Sequence, residues 1–183
     1  MKKRICIYCG SRDGKGTEYI DLGKNIGQLL AQHDFDLVYG GAQRGVMGTV
    51  ADSAMASGSA AIGVIPRNLF SHEIAHKNLT EIHFVKDMHE RKMKMMELSD
   101  AFIALPGGFG TMDELNEIIT WRQIGIHQKP IAIYNYNHYF DGFIEYIEHA
   151  IQEGFILQSD LDFIHISDNF NQILNHCKTE LTK

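Results

Sequence analysis

Short, mostly apolar runs alternate along the chain with longer stretches in which apolar residues recur every three or four positions. Residues 5–8, 35–39, 60–65, 82–85, 100–105, 130–135 and 163–166 form the compact runs, and they read as buried strands. Between them, residues 17–33 carry Ile20, Leu22, Ile26, Leu29 and Leu30 at roughly helical spacing. Residues 140–153 do the same with Phe143, Ile144, Tyr146, Ile147 and Ile151. Residues 49–57, 87–98, 115–124 and 169–178 complete the predicted helices. Gly58 and Gly154 stand where helix stops belong, and Pro66 closes the third strand. Strand and helix alternate throughout. The pattern therefore predicts an α/β fold: a Rossmann-like, doubly wound, mainly parallel sheet flanked by helices, with residues 1–183 forming a single domain.

Glycine-rich turns follow three of these strands, at Gly10-Ser11-Arg12-Asp13-Gly14-Lys15-Gly16, at Gly40-Gly41-Ala42-Gln43-Arg44-Gly45-Val46-Met47-Gly48 and at Pro106-Gly107-Gly108-Phe109-Gly110. In a doubly wound sheet all three lie at the carboxyl edge, where such folds bind ligands. The third turn opens a helix, so the backbone N–H groups of a first helical turn face whatever sits on the glycines. That combination suits phosphate. The first turn lacks the G-x-G-x-x-G spacing of dinucleotide-binding folds. Thr111-Met112-Asp113-Glu114 fits a capping box, with Thr111 as N-cap and Glu114 bonding back to it. Glu114 has a second reading, as a carboxylate beside a bound sugar phosphate, able to stabilise an oxocarbenium-like centre or activate water.

Composition narrows the partners. At 183 residues, 44% hydrophobic and 22% charged, the chain has the make-up of an ordinary globular protein, and its net charge of −6 argues against a nucleic-acid backbone as ligand. It has no apolar run long enough to span a membrane. Three cysteines without a secretory leader point to a reducing, cytoplasmic setting. Cys6-Ile7-Tyr8-Cys9 has C-x-x-C spacing, but on a strand the two thiols face opposite sides of the sheet. His72-Glu73-Ile74-Ala75-His76 matches the H-E-x-x-H of zinc proteases, yet Pro66 and Asn78 leave little room for the long helix that motif needs. A polar surface turn is the simpler reading. Arg91 and Lys92, just after the fourth strand, fall on the ligand side or form a solvated basic face. The methionines of that helix, Met88 among them, read as core residues rather than ligand contacts.

Met88-His89-Glu90-Arg91-Lys92, Pro106-Gly107-Gly108-Phe109-Gly110-Thr111-Met112-Asp113-Glu114 and Thr120-Trp121, taken together, resemble the LONELY GUY family, once labelled possible lysine decarboxylases. The likeness extends from Cys9-Gly10-Ser11 to Glu153-Gly154-Phe155. It implies a cytokinin riboside 5′-monophosphate phosphoribohydrolase, an N-glycosidase that frees the base of an N6-modified AMP and leaves ribose 5-phosphate. It implies a homodimer, no metal and no organic cofactor. Arg91 and Glu114 would be the catalytic pair. Gly107, Gly108, Phe109, Gly110 and Thr111 would hold the nucleotide, with Gly108, Gly110 and Thr111 on its phosphate. Glu73, Met88, Lys92, Asp113 and Thr120 would complete the substrate site. The chain departs from the family at Gly41-Ala42-Gln43-Arg44-Gly45, and Arg12 and Arg44 add bulk near the site. A nucleotide-binding or sensing module without hydrolysis is the alternative. A decarboxylase is unattractive, because no motif places a lysine for a pyridoxal phosphate Schiff base.

Overall fold

The computed structural model describes residues 2–67 and 75–183. Seven strands form one sheet: β1 (Lys3–Tyr8), β2 (Phe35–Tyr39), β3 (Ala61–Pro66), β4 (Glu81–Val85), β5 (Ala101–Ala104), β6 (Ile131–Tyr134) and β7 (Ile164–Ser167). The helices among the described residues are α1 (Glu18–Gln32), α2 (Gly45–Ala56), α3 (Met88–Leu98), α4 (Phe109–Gln123), α5 (Asp141–Gln152), α6 (Gln158–Asp162) and α7 (Phe170–Leu181). All pairings are parallel, in the order β4-β3-β2-β1-β5-β6-β7. A parallel sheet is covered on both faces, and this is why its strands read as continuous apolar runs rather than alternating ones.

The period-two geometry of the strands sorts their side chains into two cores. Ile5, Ile7, Leu37 and Tyr39 pack with Leu22, Ile26 and Leu30 of α1, with Val50 and Ala54 of α2, and with Ile173 and Leu174 of α7. Cys6, Tyr8, Val38, Ile62, Val64 and Phe102 pack with Met95 of α3, Leu115 and Ile118 of α4, and Phe140 beside α5. Cys6 and Cys9 accordingly fall in different cores, and all three cysteines are free and buried.

The chain winds outward from β1 to β4, then returns to the other side of β1 as β5. The two halves part there, leaving a crevice between the carboxyl ends of β1 and β5. Two backbone bonds close the floor of that crevice. The Leu105 N–H donates to Tyr8 O at 2.8 Å and the Gly10 N–H to Pro106 O at 3.1 Å.

Three local expectations change. Helix α4 starts at Phe109, with Gly108 in extended conformation as its N-cap and no capping side chain. Thr111 is therefore inside the first turn rather than at the cap, and Glu114 lies too far along the helix to close a capping box. Helix α2 likewise begins at Gly45, four residues ahead of the predicted Thr49. The short helix α6 and a 3-10 turn at Tyr136–His138 carry no apolar periodicity and have no counterpart in the sequence reading.

Helices α1 and α2 touch backbone to backbone at Gly27. A Cβ there would lie 2.6 Å from Ala54 N, Ser53 Cβ and Val50 O. Replacing glycine by alanine within a helix gains about 1 kcal/mol of propensity. Overfilling a tight contact costs about 1–3 kcal/mol. Gly27→Ala is therefore expected to destabilise the fold, read as a lower midpoint in urea unfolding.

Candidate active site

A cavity of about 690 Å³ occupies the crevice, within the range of small-molecule sites. Its walls come from the ends of four strands. Cys9, Gly10, Ser11 and Arg12 follow β1; Gly40 and Ala42 follow β2; Ile65 and Pro66 end β3; residues 106–111 follow β5. Gly14, Val46 and Met47, Met88 and Arg91 of α3, Glu114 of α4, and Tyr19 and Tyr139 complete it.

Arg91 and Glu114 meet at the base of this cavity. Asp87 caps α3 by accepting the His89 and Glu90 N–H groups, each at 3.0 Å, and so sets where Arg91 stands on the first turn. The Arg91 side chain runs inward. Its Nε–H donates to Val64 O at 3.1 Å and its Nη1–H to Glu114 Oε1 at 2.7 Å. Arg91 is 8% exposed and Glu114 4%. A Cβ on Gly40 would coincide with Arg91 Nη2, so the glycine after β2 is what admits the guanidinium. Burial pushes the Glu114 carboxyl above the usual 4.5, and the Arg91 charge and hydrogen bond pull against that rise.

The glycine turn shapes the opposite wall. A Cβ on Gly107 would run into Thr111 Oγ1 and come within 2.8 Å of Gly10 N. The N–H groups of the first turn of α4 have no partner within the helix, and no described side chain caps them. They carry the positive end of the helix dipole, which favours an anion at this edge. Cys9 lines the same space, but burial raises its thiol well above the ordinary range, so it stays protonated and is a poor nucleophile.

Of the residues singled out from sequence, Arg91, Glu114, Met88, Gly107, Gly108, Phe109, Gly110 and Thr111 come together around the cavity. Lys92, Asp113 and Thr120 lie outside its lining. The Lys92 ammonium bridges α3 to α4, 3.1 Å from Asp113 Oδ2 and 3.0 Å from Glu117 Oε1. Burial lowers the Lys92 pKa, but Glu117 and Asp113 outweigh it and raise the net value. The Thr120 hydroxyl donates to Asn116 O within α4. Glu73, with His72, lies outside the described residues. His76 has both ring nitrogens engaged: Nε2 on Asp52 Oδ1 at 2.8 Å, and Nδ1 accepting the Asn78 N–H at 3.2 Å. Neither is left for a metal. Arg12 reaches the cavity, whereas Arg44 is the N-cap residue of α2 and is not part of the lining. Sequence reasoning placed the Gly40 turn on the ligand edge and missed Tyr19 and Tyr139. The two tyrosines have no local signal, since only the strand order brings them to β1 and β5.

Breaking a buried ion pair on one side costs about 3–5 kcal/mol, because the remaining charge is left without a partner. Arg91→Ala should therefore destabilise the protein strongly at neutral pH. The sign of its pH dependence follows from Glu114. A carboxyl whose folded pKa is raised binds a proton in the folded state before it does in the unfolded one, so the ionised form carries a penalty. That penalty is absent below the unfolded value near 4.5, grows from there up to the folded value, and is larger in Arg91→Ala, which lacks the charge and hydrogen bond that pull the Glu114 pKa down. The deficit of Arg91→Ala in urea unfolding should thus be largest at neutral pH and shrink toward pH 4.

A family model described as possible lysine decarboxylase matches residues 47–177. The cytokinin riboside 5′-monophosphate phosphoribohydrolase of Rhodococcoides fascians is 48% identical over 155 residues, covering 84% of this chain and 78% of that protein. The corresponding enzyme LOG3 of Arabidopsis thaliana is 45% identical over 154 residues, covering 84% and 72%. Among solved structures, the Moco carrier protein of Chlamydomonas reinhardtii superposes with a TM-score of 0.74 at 17% identity, over 100% of this chain and 99% of that one. The protein TM1055 does so with a TM-score of 0.74 at 18% identity, over 97% and 99%. At such identities the two structures speak for the fold alone. With a family model over most of its length and relatives near half identity, the chain belongs to the possible lysine decarboxylase family, the LONELY GUY family of cytokinin riboside 5′-monophosphate phosphoribohydrolases.

Proposed function

We propose that this protein hydrolyses the N-glycosidic bond of an adenosine 5′-monophosphate, N6-modified or plain, to give the free base and ribose 5-phosphate. The observation that carries the reading is the buried Arg91–Glu114 pair, set at 2.7 Å in the same cavity as the unpartnered first turn of α4. The turn takes the 5′-phosphate on backbone N–H groups. Binding energy far from the reacting bond then positions C1′ over Glu114. As the bond from C1′ to the base nitrogen lengthens, positive charge grows on the ribose ring and faces the Glu114 carboxylate. Water adds to C1′, the electron pair of the broken bond leaves with the base, and the water's proton is passed on to solvent or base. Arg91 binds Glu114 Oε1, and no described residue binds Oε2, which is the oxygen open to the reacting centre. Glu73, Lys92, Asp113 and Thr120 belong to the proposed substrate site on the strength of the family resemblance alone.

The proposal includes a homodimer. Phe109 is 96% exposed at the edge of the cavity and Met88 beside it is 41% exposed. Large apolar groups left in water at the rim of a site fit a covering partner. The three cysteines are unpaired, as a reducing compartment allows, and the reading places the protein in the cytoplasm. No described helix is long and apolar enough to cross a membrane.

Incubation of the pure protein with N6-isopentenyl-AMP and with AMP, followed by chromatography, should release base and ribose 5-phosphate in equal amounts. Intact nucleotide after long incubation would overturn the reading. Glu114→Gln should lower kcat by about 10²–10⁴-fold, the range for a positioned acid–base group, while AMP still binds within a few-fold of wild type. Because burial raises Glu114, the acid limb of kcat/KM should fall above the ordinary 4.5 of a glutamate. A limb at or below that value would take Glu114 out of the reacting form.

A further inference from the structure

The segment after β6 contributes Tyr139 to the cavity wall, and its geometry is unusual. Asn137 and His138 have φ values of 50° and 59°, in the left-handed region that non-glycine residues enter at a cost. Four contacts hold them there. The Asn137 amide and the Tyr136 hydroxyl both donate to Glu18 Oε1 at the start of α1. Asn135 Oδ1 accepts the Phe140 N–H at 2.8 Å, and the Asn135 amide donates to Asp141 Oδ1 at 2.7 Å. A loop so constrained delivers one side chain to the site. The Tyr139 hydroxyl donates to Gly107 O at 2.6 Å. The Tyr139 ring stands edge-on to Tyr19, with centroids 6.2 Å apart, and edge-on to Phe140 at 5.2 Å. Tyr19 in turn lies against Gly14 in the loop after β1, where a Cβ would come within 2.5 Å of its ring.

Gly107 O belongs to the peptide that joins Gly107 to Gly108. The peptide is planar and trans, so its carbonyl and its N–H point in opposite directions. With no Cβ on either side, this peptide can rotate more freely than any other in the turn. Rotation would exchange an N–H for a carbonyl oxygen at the edge where an anion is to sit. The Tyr139 bond holds the carbonyl toward Tyr139 and thereby turns the Gly108 N–H to the opposite side of the peptide.

We propose that Tyr139 is a positioning residue for the phosphate cradle. Through Gly107 O it orients the Gly108 N–H and so sets how strongly the site prefers a 5′-phosphorylated ligand. The inference rests on the phosphate reading of this turn, and it does not depend on hydrolysis.

The test is calorimetric binding of AMP, ribose 5-phosphate and adenosine to the full chain and to Tyr139→Phe, which keeps the ring and removes only the hydroxyl. Loss of one such bond corresponds to about three- to tenfold in affinity. AMP and ribose 5-phosphate should weaken by that factor in the variant while adenosine binding is unchanged, so the AMP-to-adenosine preference falls. A merely structural role would weaken adenosine and AMP alike, and that outcome overturns the proposal, as does an unchanged preference. Wild-type protein that binds AMP and ribose 5-phosphate without turnover would remove the hydrolase reading and leave the Tyr139 comparison intact. Wild-type protein with no preference for AMP over adenosine would remove the cradle and the role of Tyr139 together.

Discussion

Arg91 and Glu114 are almost wholly withdrawn from water, and neither could hold its charge there by itself. A lone buried carboxylate would take up a proton, and a lone guanidinium, which cannot give one up, would exclude itself from the interior. Together they form a 2.7 Å charge-assisted bond, with the Nε–H satisfied by Val64 O on β3. The pair thus ties α3 to α4 and to β3 of the sheet. It also sets the charge state on which any chemistry in the cavity depends.

This constraint explains the glycine after β2, and two further glycines close the crevice beside it. Gly40 makes room for the guanidinium, Gly107 lets the β5 turn close on Gly10 and Thr111, and Gly10 donates its N–H across to Pro106 O. Each acts at a different strand terminus, but all three serve the single gap opened where the strand order reverses between β1 and β5. A phosphate on the first turn of α4 and a carboxylate in its second turn would repel one another. The helix N-terminus and the Arg91 charge offset that repulsion from two directions. A carboxylate with a raised pKa, a cation bound to one of its oxygens and a nearby helix N-terminus are suited to placing negative charge under a sugar ring.

The cavity's outer wall is built by different means. Tyr19 and Tyr139 come from α1 and from the segment after β6, and they meet over the turn after β5 through ring contacts and one hydroxyl bond. The left-handed residues Asn137 and His138 are held in place by bonds to Glu18 and Asn135, so a locally unfavourable backbone persists because its surroundings over-determine it.

The sequence by itself determined the layers. Strands buried on both faces must be apolar throughout and helices packed on one face must be periodic, so the seven strands and the six longer helices were legible, as was the clustering of glycine turns on one edge. It also carried the Arg91-Lys92 and Pro106 to Glu114 motifs, and with them the family. Helix starts were less legible. Thr111 has the chemistry of a cap, but Gly108 takes the position, which puts Glu114 in the second turn of α4, where it meets Arg91. Tertiary structure alone decided which side chains meet. Arg91 and Glu114 are 23 residues apart, and Tyr139 lies 32 residues beyond Gly107. No local rule relates such positions. Their contact follows from the order of strands in the sheet, because that order fixes which loops share the crevice.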